Sequence, residues 1–162
     1  MRWSALTNIL YSRLLFPSFG MAKKNSFSSL AGLRGLSIAP GAVFLGPWVD
    51  IDHEKFLIVA GVSDDKLLVC SVMINSQINQ YIMKRPKMLA CQVGLKSDGY
   101  DFLSHDSYVN CAQPIKAKGE VFMQDDLKYC GILKDSDLEQ VRQMIIASGS
   151  LTNDEISIFF GE

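Results

Sequence analysis

The chain has 162 residues, of which 48% are hydrophobic and 20% charged, and its formal net charge at neutral pH is −1. This size and apolar content suit one domain with its own core and exclude a mostly disordered chain. The near-neutral total argues against a protein that coats nucleic acid through overall charge. The charge is uneven, because residues 1–49 hold five basic and no acidic residues, whereas residues 50–162 carry a net charge of −6. The sequence therefore predicts a cationic leader over 1–39 and a mildly acidic domain over 40–162.

The leader mixes apolar residues with Arg13 and several Ser, Thr and Asn residues as far as Pro17. A spanning helix needs about 20 continuous apolar residues, so no membrane-spanning segment is predicted. Three interpretations stay open: an untranslated stretch before a start at Met21, an organelle transit peptide, and a helix lying on a membrane surface. The Met-Ala-Lys-Lys sequence from Met21 resembles an ordinary cytoplasmic N-terminus, and we expect a cytoplasmic protein.

From Gly41 onward the pattern is that of short strands. The run at 55–62 is apolar almost throughout, which is typical of a strand covered on both faces. No helix-length segment separates the runs, so βαβ crossovers are excluded and a small closed barrel or strongly bent sheet is favoured. Five to seven strands are predicted from the runs at 41–45, 55–62, 67–74, 88–93, 100–103, 107–115 and 119–123.

The last 27 residues change to helical spacing. A Ser-x-x-Glu capping box at 136–139 opens an apolar 3.6-residue pattern that Gly149 ends, so a helix is predicted over 136–148. A second box, Thr-x-x-Glu at 152–155, opens a shorter helix over 153–160. The short linker between them predicts a helical hairpin that packs on one face of the barrel.

Motifs for metals and common cofactors are absent. The chain lacks the phosphate-binding G-x-x-x-x-G-K-[ST] loop and the G-x-G-x-x-G, G-x-S-x-G and H-E-x-x-H patterns. The four cysteines, at 70, 91, 111 and 130, contain no close pair of the kind that zinc sites need, and they are predicted to be core thiols in a reducing compartment. No metal and no cofactor are therefore predicted.

The two histidines of the chain both lie in connections between predicted strands. His53 precedes the strand at 55–62, and His105 lies between Ser104 and Asp106. Imidazole titrates near neutral pH, so the two rings could serve as an acid–base pair if they met at one mouth of the barrel. The alternative is that both are solvated loop residues.

A polar segment follows the second central strand. It combines amides, a tyrosine and cations, which together suit phosphate binding and base stacking on single-stranded nucleic acid. The alternative is a solubilising loop between strands. The residues predicted to bind RNA are Asn75, Tyr81, Lys84, Arg85 and Lys87.

Four segments resemble the PemK/MazF group of toxins. The segment 40–44, Pro-Gly-Ala-Val-Phe, resembles the opening strand of that family, and 56–60 and 68–76 are similar to its second and third strands. Ser-Tyr-Val-Asn-Cys-Ala-Gln at 107–113 is similar to a later strand that carries dimer contacts in the family. The resemblance covers about 40–115 and consists of hydrophobic patterns.

This resemblance implies an SH3-like barrel that cuts single-stranded RNA without a metal, forms a homodimer and pairs with an antitoxin protein. The family has an Arg-Pro step before its second strand, with the arginine assisting the cleaved phosphate, where this chain has Glu54-Lys55. Lys55 would then stabilise the phosphate, His53 would act as acid or base, and Ser76 would match the family's Thr or Ser after the third strand. Arg85 would hold the flanking RNA backbone.

The predicted fold is therefore mainly β: a small SH3-like β-barrel with a C-terminal α-helical hairpin. The predicted function is that of a PemK/MazF-like toxin with metal-independent endoribonuclease activity, and His53, Lys55 and Ser76 are the predicted catalytic residues. The alternative is a non-catalytic barrel that binds a protein partner through an edge strand or the hairpin. In a third reading, the leader anchors the barrel to a membrane surface.

Overall fold

The computed structural model describes residues 38–47 and 51–161, so the predicted leader lies almost entirely outside the described residues. No helix in these two ranges is long and apolar enough to cross a bilayer. The strands are Ala42–Gly46 (β1), Lys55–Val62 (β2), Leu68–Asn75 (β3), Gln92–Leu95 (β4), Ser107–Asn110 (β5), Ile115–Lys118 (β6) and Lys128–Ile132 (β7). The α-helices are Gln80–Met83 (α1), Pro86–Leu89 (α2), Asp135–Ser148 (α3) and Asn153–Phe160 (α4), and 3₁₀ turns occupy Ser97–Gly99 and Gly119–Met123.

All strand pairs are antiparallel, and the sheet has the order β4-β5-β3-β2-β1-β7. β3 divides its free edge between two partners: residues 68–71 pair with β6, and Ile74 and Asn75 pair with β5. A strand with two partners along one edge requires the sheet to bend there. This mainly β architecture, with its C-terminal helical hairpin, confirms the predicted fold class.

Apolar side chains of the central strands alternate between two cores, one on each face of the sheet. Leu57 and Val59 of β2 belong to the core beneath β6, whereas Ile58 and Ala60 belong to the core beneath the C-terminal helices. All four are fully buried. The prediction that the run at 55–62 is covered on both faces is therefore confirmed.

The helical hairpin covers one face through Leu138, Val141 and Ile145 of α3 and Phe159 of α4, all buried in the core on that side. Gly149 ends α3 with a left-handed φ of 69°, a conformation that costs glycine little. The predicted capping box at 152–155 is present with both of its hydrogen bonds. These parts of the C-terminal prediction are confirmed.

The predicted capping box at Ser136 is wrong. Helix α3 begins one residue earlier, at Asp135, and its N-cap residue Lys134 makes no side-chain capping bond. Tyr100 organises this end of the helix instead, since its hydroxyl donates to the Asp137 carboxylate and accepts a 3.2 Å hydrogen bond from the Lys134 backbone N–H. Burial, followed by the bond to Asp137, raises the pKa of Tyr100 to about 12. The side chain of Tyr100, which is distant in sequence, thus takes the place of the predicted capping residue Ser136.

Two polar contacts fasten the hairpin to the sheet. The register of β2 against β3 shifts between Val59 and Gly61, and the Ala60 carbonyl at this irregularity accepts a 3.0 Å hydrogen bond from Arg142 Nε. Lys116 of β6 donates to Glu155 of α4 at 2.5 Å, and both side chains are more than 80% buried. The same carboxylate accepts from the Thr152 backbone N–H within the capping box.

Two of the predicted strands are helical. The run at 88–93 was expected to be a strand, but 86–89 forms α2 and the strand starts only at Gln92. Pro86 at the first helical position favours this helix, because its fixed φ suits a first turn. The segment Gly119–Met123 is a 3₁₀ turn, in which Gly119 packs against the Lys66 carbonyl.

The remaining strand predictions differ in the second half of the barrel. The run at 100–103 is a turn, and the single strand expected over 107–115 is divided into β5 and β6 by a turn. Strand β7 was missed altogether, because none of its five residues is buried and it lacks an alternating apolar pattern. Its place in the sheet comes from pairing with β1.

Two strand glycines make a matched test of how the hairpin packs. A Cβ on Gly61 would lie 2.5 Å from the Phe159 carbonyl oxygen of α4, whereas a Cβ on Gly94 would meet nothing within 4 Å. We expect Gly61→Ala to lower the free energy of unfolding by about 1–3 kcal/mol through overpacking. Gly94→Ala should leave it unchanged or raise it by about 0.5 kcal/mol. Urea denaturation of both variants measures this, and equal stabilities would contradict the contact between α4 and β2.

The ionisation of Glu155 makes the free energy of unfolding depend on pH in the acidic range. Burial raises the pKa of its carboxyl, but hydrogen bonds from Lys116 and from the Thr152 backbone N–H outweigh burial, and the net pKa is lowered from 4.5. A lowered folded-state pKa gives stability that is complete above the unfolded pKa and is lost as the pH falls below 4.5. We expect Glu155→Gln to cost roughly 1–3 kcal/mol at pH 7 and to flatten this acid-side loss.

Urea denaturation from pH 7 to pH 3 measures this dependence. Glu139→Gln is the control, because Glu139 is exposed and its side chain, within the described ranges, accepts a hydrogen bond from Gln143 of its own helix. A Glu155→Gln variant whose stability falls with acid as steeply as that of the parent would contradict the role of this pair.

Candidate active site

A cleft of about 150 Å³ opens at one end of the sheet. Three segments form it: the approach to β2, the end of β3 and the loop that leads into β5. Because β2 pairs with β3 and β3 pairs with β5, the antiparallel register brings these ends together. Phe56, Ile74 and Leu103 supply its apolar part. Its polar lining consists of His53, Glu54, Lys55, Ser76, Ser104, His105 and Ser107.

His53 is held by the carboxylate beside it. Its Nδ1 lies 2.7 Å from Asp52 Oδ1. A carboxylate can only accept, so Nδ1 carries the hydrogen, and Nε2 of the neutral ring is left free to accept a proton. The hydrogen bond from His53 also lowers the pKa of Asp52, which stays ionised. His53 is exposed, so Nε2 can be reached from solvent.

His105 belongs to a short loop that is fixed from both sides. Ser104 Oγ lies 2.8 Å from His105 Nδ1, and Ser107 Oγ donates to the His105 carbonyl at 3.0 Å. The next residue, Asp106, accepts from the Lys96 ammonium at 2.7 Å and from the Ser97 backbone N–H at 2.9 Å. These bonds lower the pKa of Asp106 to about 2. The loop therefore has a defined conformation beside the cleft.

Lys55 is the cation of the cleft. Its Nζ donates to Asn75 Oδ1 at 3.2 Å, and both residues are half-buried. An ammonium group has three donors, so this bond orients Lys55 and leaves two N–H groups for an anion. Ser76, one residue beyond β3, is exposed at the same end. The structure thus brings the predicted catalytic residues His53, Lys55 and Ser76 together.

The other predicted RNA-binding residues lie apart from the cleft lining. Tyr81, Lys84, Arg85 and Lys87 belong to the two short helices α1 and α2 and the step between them, where a loop was expected. The Arg85 guanidinium stacks 3.5 Å from the centroid of the Tyr81 ring and donates to the Tyr81 carbonyl at 3.0 Å. One face of Tyr81 is therefore covered by Arg85, whereas Lys84 and Lys87 are exposed.

Ser104, His105 and Ser107 line the cleft but are not among the predicted catalytic residues. The sequence suggests a role for His105 alone, as the second member of an acid–base pair with His53. The position of these three cleft residues depends on which residues of β5 face which residues of β3. The alternation of Tyr108 and Val109 in the sequence indicates a strand, and the structure shows that Ser107 opens this strand with a buried side chain.

None of the four cysteines is among the residues that line the cleft. Cys70 and Cys111 are buried, whereas Cys91 and Cys130 are half-buried, and all four are free thiols. Burial raises the pKa of Cys70 and of Cys111 to about 12 in each case, so both are neutral at physiological pH. In the described part of the chain, no three His, Cys, Asp or Glu side chains come together as a metal ion would need.

Comparisons with known proteins show a likeness in fold to solved structures. No protein family model matches the chain, and no curated protein matches it. The solved structure of the toxin MazF-mt6 from Mycobacterium tuberculosis is similar in fold, with a TM-score of 0.47 and 15% sequence identity. The superposition covers 68% of this chain and 98% of the toxin chain.

Thiol accessibility checks the placement of the cysteines. At pH 8 we expect iodoacetamide to leave Cys70 and Cys111 of the native protein unmodified, because both are buried and their thiolates are scarce. Modification in urea should reach all four cysteines. Mass spectrometry of peptides counts the adducts, and native-state alkylation of Cys70 at the rate seen in urea would contradict the core position of β3.

Proposed function

We propose that the protein is a toxin-type endoribonuclease that cuts single-stranded RNA by metal-independent transesterification in the cleft. The observation that carries this proposal is that both histidines of the chain line one cleft together with Lys55 and Ser76. An acid–base pair beside a cation is the set of groups that this reaction needs.

In the proposed reaction, His53 is the base and His105 the acid. His53 Nε2 takes the proton of the RNA 2′-hydroxyl, and the 2′-oxygen forms a bond to the adjacent phosphorus. The bond from phosphorus to the 5′-oxygen breaks, and His105, in its protonated form, gives a proton to that oxygen. The products are a 2′,3′-cyclic phosphate and a 5′-hydroxyl, and the two histidines have exchanged protonation states.

Lys55 and Ser76 act on the phosphate. The non-bridging oxygens gain negative charge as phosphorus becomes five-coordinate, and an oriented cation stabilises that charge more than it stabilises the ground state. Asn75 holds the Lys55 ammonium in place, so little reorganisation is needed as the charge develops. Ser76 supplies a hydroxyl donor to the same oxygens. Lysine provides charge without the two-pronged geometry of the family's arginine.

The predicted partners follow from the family resemblance in the sequence. An antitoxin protein that blocks the cleft, a homodimer and a cytoplasmic location are all part of this proposal. The exposed cations Lys84 and Lys87, with Arg85, would hold the RNA backbone beyond the cleft.

One observation favours a different function, that of a non-catalytic protein-binding module. β7 ends the sheet, and among the described residues its hydrogen-bonded neighbour is β1 alone. It exposes Tyr129 and Ile132, which are 47% and 58% accessible. An edge strand with exposed apolar residues can add a strand from a partner. Binding of a protein partner through β7, together with no effect on RNA, would support this function.

Site-directed variants test the ribonuclease proposal. We expect His53→Asn and His105→Asn each to slow cleavage of a single-stranded RNA by about 10²–10⁴-fold, because each removes a proton-transfer group. Lys55→Gln should slow it by about 10²–10³-fold. Cleavage is measured by gel electrophoresis, and the product ends are read by mass spectrometry. A 2′-deoxy substitution at the cut position should abolish cleavage and leave binding intact.

Lys118→Gln is the matched control for Lys55, since Lys118 is an exposed lysine on β6 outside the cleft lining. It should cleave at the parental rate. The proposal is wrong if the purified protein cuts no RNA in a mixed single-stranded pool, or if both histidine variants cut as fast as the parent.

A further inference from the structure

A row of side chains crosses the sheet next to the cleft. Asn75 of β3 pairs with Tyr108 of β5, and Tyr108 pairs with Gly94 of β4. Residues paired across antiparallel strands project from the same face, so these three positions share one face of the sheet. Lys55 of β2 extends the row, since its ammonium donates to Asn75. The row crosses four strands and spans about 14 Å.

The end of this row at β5 and β4 is open. Tyr108 is 37% accessible, Gly94 is exposed, and a Cβ placed on Gly94 would meet nothing within 4 Å. Aromatic side chains often fold over a glycine on the neighbouring strand and shield its backbone. The Tyr108 ring does not do so here. A flat strip of backbone therefore lies open beside the ring, with room for a planar group.

One lysine belongs to the row and another lies just beyond β4. Lys55 lies at the β2 end and also lines the cleft. Lys96 directly follows β4, two residues beyond Gly94, and forms an ion pair with Asp106. Its side chain is 81% accessible. An aromatic ring flanked by cations and an amide suits a nucleotide, whose base stacks while its phosphates meet the lysines.

We propose that Tyr108 and the open strip over Gly94 form a nucleobase-stacking subsite for single-stranded RNA, continuous with the cleft through Lys55. This inference rests on the proposed function and adds to it the subsite that binds a base next to the cut phosphate. Tyr81, the tyrosine singled out from the sequence, has one ring face occupied by Arg85, so Tyr108 is the better platform.

Two variants remove the subsite in different ways. Tyr108→Ala removes the stacking ring, and Gly94→Val fills the open strip at a strand position that has space for the side chain. We expect each to weaken binding of a short single-stranded RNA by roughly 5- to 100-fold. Tyr108→Phe keeps the ring and should bind like the parent. Binding is measured by fluorescence anisotropy in a His53→Asn background, which prevents cleavage, and urea denaturation verifies that each variant is folded.

Kinetics separate this inference from the proposed function. In the cleaving protein, Tyr108→Ala and Gly94→Val should raise KM by the same factor and change kcat by less than threefold, since neither touches the reacting atoms. An RNA that carries 4-thiouridine should crosslink to Tyr108 on irradiation, and mass spectrometry should locate the crosslink at that residue.

The outcomes are distinct. If the protein cuts RNA and both folded variants keep the parental KM, the subsite is wrong and the proposed function stands. If RNA crosslinks to Tyr108 and binds less tightly to both variants but is never cut, the subsite stands and the ribonuclease proposal falls. A protein that binds no single-stranded RNA overturns both.

Discussion

The division of β3 between two partners is the constraint on which the rest of the structure depends. Its first half pairs with β6 and its last two residues pair with β5. The pairing with β6 bends the sheet over the core that contains Leu57 and Val59. The pairing with β5 brings His105 to the end of β3, where β2 has already placed His53 and Lys55. A one-residue slip of β5 would turn Tyr108 into the core and Val109 out of it, so the register is strongly specified by burial.

The C-terminal hairpin makes that register possible from the other face. Ile58, Val72 and Ile74 of the sheet share one continuous core with residues of the hairpin, among them Val141, Ile145 and Phe159. The polar contacts between the hairpin and the sheet determine where the hairpin lies more than they add to net stability. A buried ion pair such as that of Lys116 and Glu155 stabilises a fold little more than an apolar pair of similar size. Glu155 also caps its own helix, so one carboxylate fixes both the start of α4 and its distance from β6.

Local patterns predicted the elements whose sequence and environment agree. The central strands at 55–62 and 67–74 are apolar on both faces, and the box at 152–155 needs only its own four residues, so all three could be recognised without tertiary contacts. Strand β7 could not, because its pairing with β1 decides its structure. At 86–89 the apolar run suggested a strand, whereas Pro86 at the first helical position favours the helix that forms. In the candidate site, too, some residues could be recognised from local sequence and others could not. His53 and Lys55 were recognisable as residue types before a strand, but the approach of His105 depends on the pairing of β5 with β3.

The charge of the domain is the reason why a stacking surface would matter to the proposed RNA function. Residues 50–162 carry a net charge of −6, and Glu54 lies in the cleft itself. Counterion release by many lysines, which supplies most of the affinity in basic RNA-binding proteins, is therefore limited to a few local cations. At physiological salt the distant acids are screened within about 8 Å, so in the proposed complex Lys55 and Lys96 would still act on adjacent phosphates. Base stacking is insensitive to net charge. An acidic domain can bind a single strand when an aromatic platform supplies the affinity and the lysines fix the register of the phosphates over the imidazoles.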